Sequence, residues 1–68
     1  MTMLKVIEVL AQSDQSWEDA AKTAVQEAAK TVRGIKSIYI KDMEATVEND
    51  RIVMYRINGK ISFAVEGH

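Results

Sequence analysis

The stretch "RIVMYRINGKISFAV", Arg51 to Val65, decides the fold. Every second residue from Val53 gives Val53, Tyr55, Ile57, Gly59, Ile61, Phe63 and Val65, an apolar row. Strict alternation of this kind marks a β-strand with one face buried. The other row is Ile52, Met54, Arg56, Asn58, Lys60, Ser62 and Ala64. It begins apolar, turns charged and ends small. A solvent face does not begin with Ile and Met, so this second row also requires something to cover it.

Working outward, Asn49 and Asp50 precede this strand, and both residue types tolerate positive φ. They are placed to form a two-residue hairpin turn. Before them, "IKSIYIKDMEATVE" reads as a partner strand over 35–48. Ile38 and Ile40 share a face, but the later apolar residues are Met43, Ala45 and Val47, so the parity slips between Ile40 and Met43. One extra residue in one strand, a β-bulge, produces such a slip. "MLKVIEVLA" is a further strand over 3–11. It is apolar on both sides, with Leu4, Val6 and Leu10 on one and Ile7, Val9 and Ala11 on the other, and "QSDQ" breaks it.

Between these strands, "SWEDAAKTAVQEAAKTVRG" predicts a helix over 16–33. Ser16 is a natural N-cap with Asp19 three residues on, the spacing of a capping box. Glu18 and Asp19 at the start and Arg33 at the end suit the helix dipole, and Gly34 suits a left-handed C′ position. The apolar stripe Trp17, Ala20, Ala21, Ala24, Val25, Ala28 and Val32 is mostly alanine, which lets the helix axis lie close to what it covers. Trp17 reads as a packing residue over a sheet edge rather than a stacking platform.

The order β-α-β-β predicts an α+β fold, a three-stranded antiparallel sheet wrapped around one helix. One helix covers one sheet face. The 68 residues allow a single domain over 1–68, with the last strand expected over 51–66 and Gly67 and His68 frayed beyond it. A chain this short is marginal alone. It has no Cys, hence no disulfide and no thiolate metal site, and its one His is the terminal residue. Association of copies is the remaining way to cover 47% hydrophobic residues. A net charge of −1 gives no polybasic footprint for nucleic acid. No apolar run approaches the roughly 18 residues of a membrane span, and a cytoplasmic protein is expected. Nothing in the chain suggests catalysis: there is no Gly-rich phosphate loop and no acid/base pair.

With these residues placed, the chain resembles the dodecin family. "KVIEVLAQSDQSWEDAAKTAV" is similar to the first strand and helix opening of a dodecin, "TVRGI" to its helix end and "MYRINGKISF" to its closing strand. The resemblance implies twelve copies in a hollow shell, a homododecamer, that binds flavins (riboflavin, lumichrome or FMN) without catalysis. In that family a Trp on the second strand stacks on the flavin and a Gln on the third bonds its polar edge. The matching positions here are Ser37 and Arg56, so both are replaced and flavin binding is expected to be weakened. Tyr39 has the parity of Ser37 and offers a substitute aromatic. The resemblance extends to a branch associated with calcium, with Arg in the Gln position and a "DM" pair, here Asp42–Met43. Asp42 and Glu44 lie two apart and would share a face as oxygen donors. Their other reading is a solvated acidic edge, or carboxylates paired with Lys41, Arg51 or Arg56 of neighbours. The expected function is a small-molecule binding or storage shell; the alternative is a flavin-free structural or ion-binding dodecamer.

Overall fold

The computed structural model describes residues 3–65. β1 spans Met3–Ser13, α1 Trp17–Ala28, β2 Ile35–Glu48 and β3 Arg51–Val65. The three strands form one antiparallel sheet in the order β1-β3-β2. The long strand quoted above is therefore central, and β1 and β2 are its two edges.

The alternation of β3 sorts the sheet into two faces. Residues directly opposite across an antiparallel pair share a face. Ile7 faces Ile61, Val9 faces Gly59 and Ala11 faces Ile57 across β1–β3. On the other side of β3, Ile38 faces Ile61 and Ile40 faces Gly59. The helix lies on this inner face. Ile57 and Ile61 are its fully buried isoleucines, closed over by Ala20 and Ala24 of α1. Gly59 lies between them with no room to spare. A Cβ there would stand 3.3 Å from the Tyr39 carbonyl oxygen and 3.4 Å from the Ile38 side chain.

Both local devices expected between the strands are present. Asn49 and Asp50 have φ of 52° and 63°, the left-handed pair that a tight hairpin turn needs. The register of β2 shifts between Ile40 and Asp42, where the parity slips. A further shift lies at Ile35/Ser37, and another at Thr46/Val47 sets Val47 opposite Ile52 rather than in line with Ala45.

The helix is shorter than the expected 16–33. It ends at Ala28, and Ala29–Thr31 form a turn in which the Lys30 and Thr31 amides bond the Glu27 and Ala28 carbonyls. The adjacent β-branched Thr31 and Val32 disfavour a further helical turn. Arg33 therefore lies outside the last turn. Gly34 does adopt positive φ, 74°, but in the link to β2, where its carbonyl accepts the Ala64 amide. The Ser16 cap is as expected, with its hydroxyl accepting the Asp19 amide at 2.9 Å. The reciprocal half of the capping box is not: Asp19 Oδ2 instead accepts the hydroxyl of buried Ser13 at 2.6 Å. That bond holds β1 in the sheet through Ser13, two residues past the expected break. The expected extension of β3 to Glu66, and the fraying of Gly67 and His68, fall outside the described residues.

Each fully buried isoleucine contributes about 1.5–3 kcal/mol. Ile61→Ala removes that contact and leaves a cavity under the helix, so a loss of about 2–5 kcal/mol per chain is expected, against about 0.5–1.5 for Ile61→Val. Chemical denaturation of both variants checks the order, and equal losses would contradict a tightly packed Ile61.

Candidate functional site

The face of the sheet turned away from the helix carries the candidate ligand-binding and metal residues of the sequence analysis, Ser37, Tyr39, Asp42, Glu44 and Arg56. From one end to the other, Ser37 lies opposite Ser62, Tyr39 opposite Lys60, Asp42 opposite Asn58 and Glu44 opposite Arg56. On the other flank of β3, Val6 meets Ser62, Glu8 meets Lys60, Leu10 meets Asn58 and Gln12 meets Arg56. The bulge at Ile40/Asp42 is what puts Asp42 and Glu44 on the face of Ser37 and Tyr39. Without it, the alternation from Ser37 and Tyr39 would carry both carboxylates to the helix side.

Arg56 is held by two neighbours of its own chain. Its guanidinium donates to Glu44 Oε1 at 3.0 Å and to Gln12 Oε1 at 3.3 Å, bridging both edge strands. Lys41 reaches across β3 to Glu8 at 3.8 Å. The Ser37 and Ser62 hydroxyls bond each other, which occupies the polar groups at the position where the resemblance places a stacking ring. Near the middle of the face, Asn58 Oδ1 is buried with no donor among the described residues. Tyr39 is 64% exposed, an aromatic surface open to a neighbour or a ligand.

Trp17 is placed on the opposite side. Its indole nitrogen donates to the Glu44 carbonyl at 2.9 Å, and its ring meets Tyr55 edge-on at 4.8 Å between centroids. It pins α1 to edge strand β2, the packing role expected of it. Through the Glu44 backbone it also fixes the strand segment that presents the Glu44 carboxylate to Arg56.

Gln12 is the site residue that sequence reasoning missed, because it stands in "QSDQ", a stretch that reads as a break. The parity of Leu10, continued two residues, would have found it. No group of three or more His, Cys, Asp or Glu among the described residues is arranged to hold a metal. Glu44 is engaged by Arg56, whereas Asp42 makes no ion pair among the described residues.

The Arg56–Glu44 pair is part-exposed on both sides, 41% and 64%. Exposed pairs contribute about 0–1 kcal/mol and are screened by salt. Arg56→Ala is therefore expected to lower protomer stability by no more than about 1 kcal/mol, with the difference shrinking in high salt. Denaturation at low and high salt checks this, and a salt-independent loss several times larger would refute a solvated pair.

A dodecin family profile matches residues 3–66. The calcium dodecin of Mycobacterium tuberculosis is 35% identical over 63 residues, spanning 93% of this chain and 89% of that one. Its crystal structure, described as that of a calcium chelating antigen with a novel calcium-binding site, superposes with a TM-score of 0.81 at 33% identity over 94% of this chain and 91% of that one. The tt0972 protein of Thermus thermophilus is alike in fold, with a TM-score of 0.94 at 22% identity over the whole of both chains. The sheet, the helix that it wraps and the matched length agree, and the chain belongs to the dodecin family.

Proposed function

We propose that the chain is the subunit of a non-enzymatic homododecameric shell that binds or stores a small molecule on the outer sheet face. One observation carries this reading: that face is apolar at both ends and polar along β2 and β3 between them, with Leu10 of β1 71% exposed beside Asn58, and nothing among the described residues covers it. Leu4 and Val6 are 53% and 58% exposed at one end, Ile52 and Val47 50% and 61% at the other. Exposed apolar surface of this extent marks an interaction site. Between the two ends lie Arg56, Gln12, Asn58, Lys60 and Tyr39, and the Ser37–Ser62 pair stands level with Val6. Copies bury the apolar ends against one another, and the polar middle holds the ligand.

The ligand is not held as flavins are in the family pattern. Ser37 gives no stacking surface, a contact worth about 1–3 kcal/mol per ring in nucleic-acid systems. Arg56 only donates hydrogen bonds, where Gln both donates and accepts. Arg56 and Lys60 instead suit a planar or phosphorylated ligand with negative charge. A non-enzymatic role fits a sequence with no Cys and a single His at its terminus. Nucleic acid and membranes have no part in this reading, and the shell works in the cytoplasm.

A second reading is calcium binding, favoured by the calcium dodecin relative at 35% identity. Asp42 is then the donor of this chain, joined across a symmetry axis by carboxylates of other copies. Glu44 joins it only if it leaves Arg56.

Light scattering at micromolar concentration is expected to give the mass of twelve chains, and a stable folded monomer would overturn the shell. Riboflavin quenching is expected to be at least tenfold tighter in Ser37→Trp/Arg56→Gln than in the parent protein. Equal affinity would show that Ser37 and Arg56 do not weaken the flavin site. Calcium titration by calorimetry tests the second reading, which requires heat of binding that Asp42→Asn removes.

A further inference from the structure

β1 ends at Ser13, opposite Tyr55, and Trp17 packs on Tyr55 at the same level. Past this point the sheet is only two strands wide. Residues 46–54 form a bare hairpin that β1 does not flank, and its apolar side chains stay open: Val47 is 61% exposed, Ile52 50% and Val53 37%. A two-stranded hairpin alone is marginal in water. Its turn carries Glu48 and Asp50, with Arg51 opposite Glu48.

The far end of the same molecule has the opposite character. The protomer is 54 Å long, and β3 runs from the turn to the other end. There a groove of about 700 Å³ opens between the link after α1 and the ends of β1 and β3. Val32, Phe63 and Val65 line it together with Lys5, Arg33 and Lys36, and no acid among the described residues lines it. None of the three cations makes an ion pair among the described residues. The helix end does not neutralise them, because the Val25, Glu27 and Ala28 carbonyls are already taken by the amides of the turn. Lys36 sits in the register shift between Ile35 and Ser37, out of the ladder with β3. Bulges re-aim side chains in this way.

We propose that the hairpin tip of one protomer docks into the basic groove of the next, head to tail. Val47, Ile52 and Val53 seat against Val32, Phe63 and Val65, and Glu48 and Asp50 come among Lys5, Arg33 and Lys36. The occupant is a second copy because only it brings both complements at once: an uncovered apolar hairpin and acids at its turn. The two ends of one chain are different surfaces, so the contact is heterologous and closes by forming rings. This rests on the oligomeric reading above and names one of the contacts that build the shell.

Charge exchange tests it. Arg33→Glu/Lys36→Glu and, separately, Glu48→Lys/Asp50→Lys set like charges against each other. Each is expected to raise the concentration needed for assembly at least tenfold in low salt, read by light scattering, with far-UV circular dichroism reporting the fold. The chain carrying all four substitutions restores opposite charges and is expected to assemble like the parent. If the parent itself is monomeric, the oligomeric reading fails and this docking with it. If the parent assembles and either reversed variant assembles equally well, the docking is overturned while the shell stands. A four-substitution chain that folds but stays dissociated also overturns it. If reversal unfolds the chain, Lys36→Gln and Glu48→Gln are measured instead. Weakened assembly of both then supports the contact, and unchanged assembly refutes it.

Discussion

The rest of the structure depends on one shortage of cover. A helix of 12 residues lies over a sheet whose central strand has 15. At about 1.5 Å per residue in a helix and 3.3 Å in a strand, the helix is less than half as long as the strand beneath it. It can shield one face over the middle of the sheet and nothing more. The alanine stripe makes that shielding close, and Ile57 and Ile61 are sealed under it. Among the described residues, everything outside the shadow of the helix stays open: the outer face, the hairpin beyond Tyr55 and the groove past Phe63. Backbone ordering costs about 1–2 kcal/mol for each residue, so two sealed isoleucines leave the protomer dependent on copies of itself.

The two levels of the structure were not equally legible in the sequence. Alternation fixes faces, because a strand has a period of two. The β3 rows and the slip before Met43 follow from it directly, and the turn at Asn49–Asp50 follows from residue types that tolerate positive φ. Element ends do not follow in this way, since they are settled by competing hydrogen bonds that pattern does not register. The helix stops at Ala28 because turn amides take its last carbonyls, and β1 continues through Ser13 because Asp19 reaches back to it. The end of β1 escapes the pattern because its polar side chains have two local options: Asp19 could bond the cap or the strand, and "QSDQ" could break a strand or finish one.

Parity within β2 pairs Ser37 with Tyr39 and Asp42 with Glu44, and only the bulge before Asp42 brings the two pairs onto the face that carries Arg56. Which of them are already engaged is a different matter. Read along the chain, Glu44 is a calcium donor or a partner for a cation of a neighbouring copy; in the fold it pairs with Arg56 of its own chain. Gln12 becomes the second partner of Arg56 only because β1 and β2 flank β3 on opposite sides. Such relations cross strands far apart in sequence, and no spacing rule within one strand contains them.

The bulge between Ile40 and Asp42 has a consequence for how chains of this kind can vary. Side chains on a strand keep a two-residue beat, so one inserted or deleted residue exchanges the two faces downstream. Lys41 is the residue that absorbs the odd count. Deleting it, or adding one residue beside it, would send Asp42 and Glu44 toward the helix and Met43 and Ala45 toward the outside. Substitutions at this place are small events, whereas a change of length by a single residue rewrites the chemistry of the whole outer surface beyond it. The faces of β2 beyond Ile40 therefore depend more on its length than on its composition, and this bulge sets the phase for Asp42, Met43, Glu44 and Ala45.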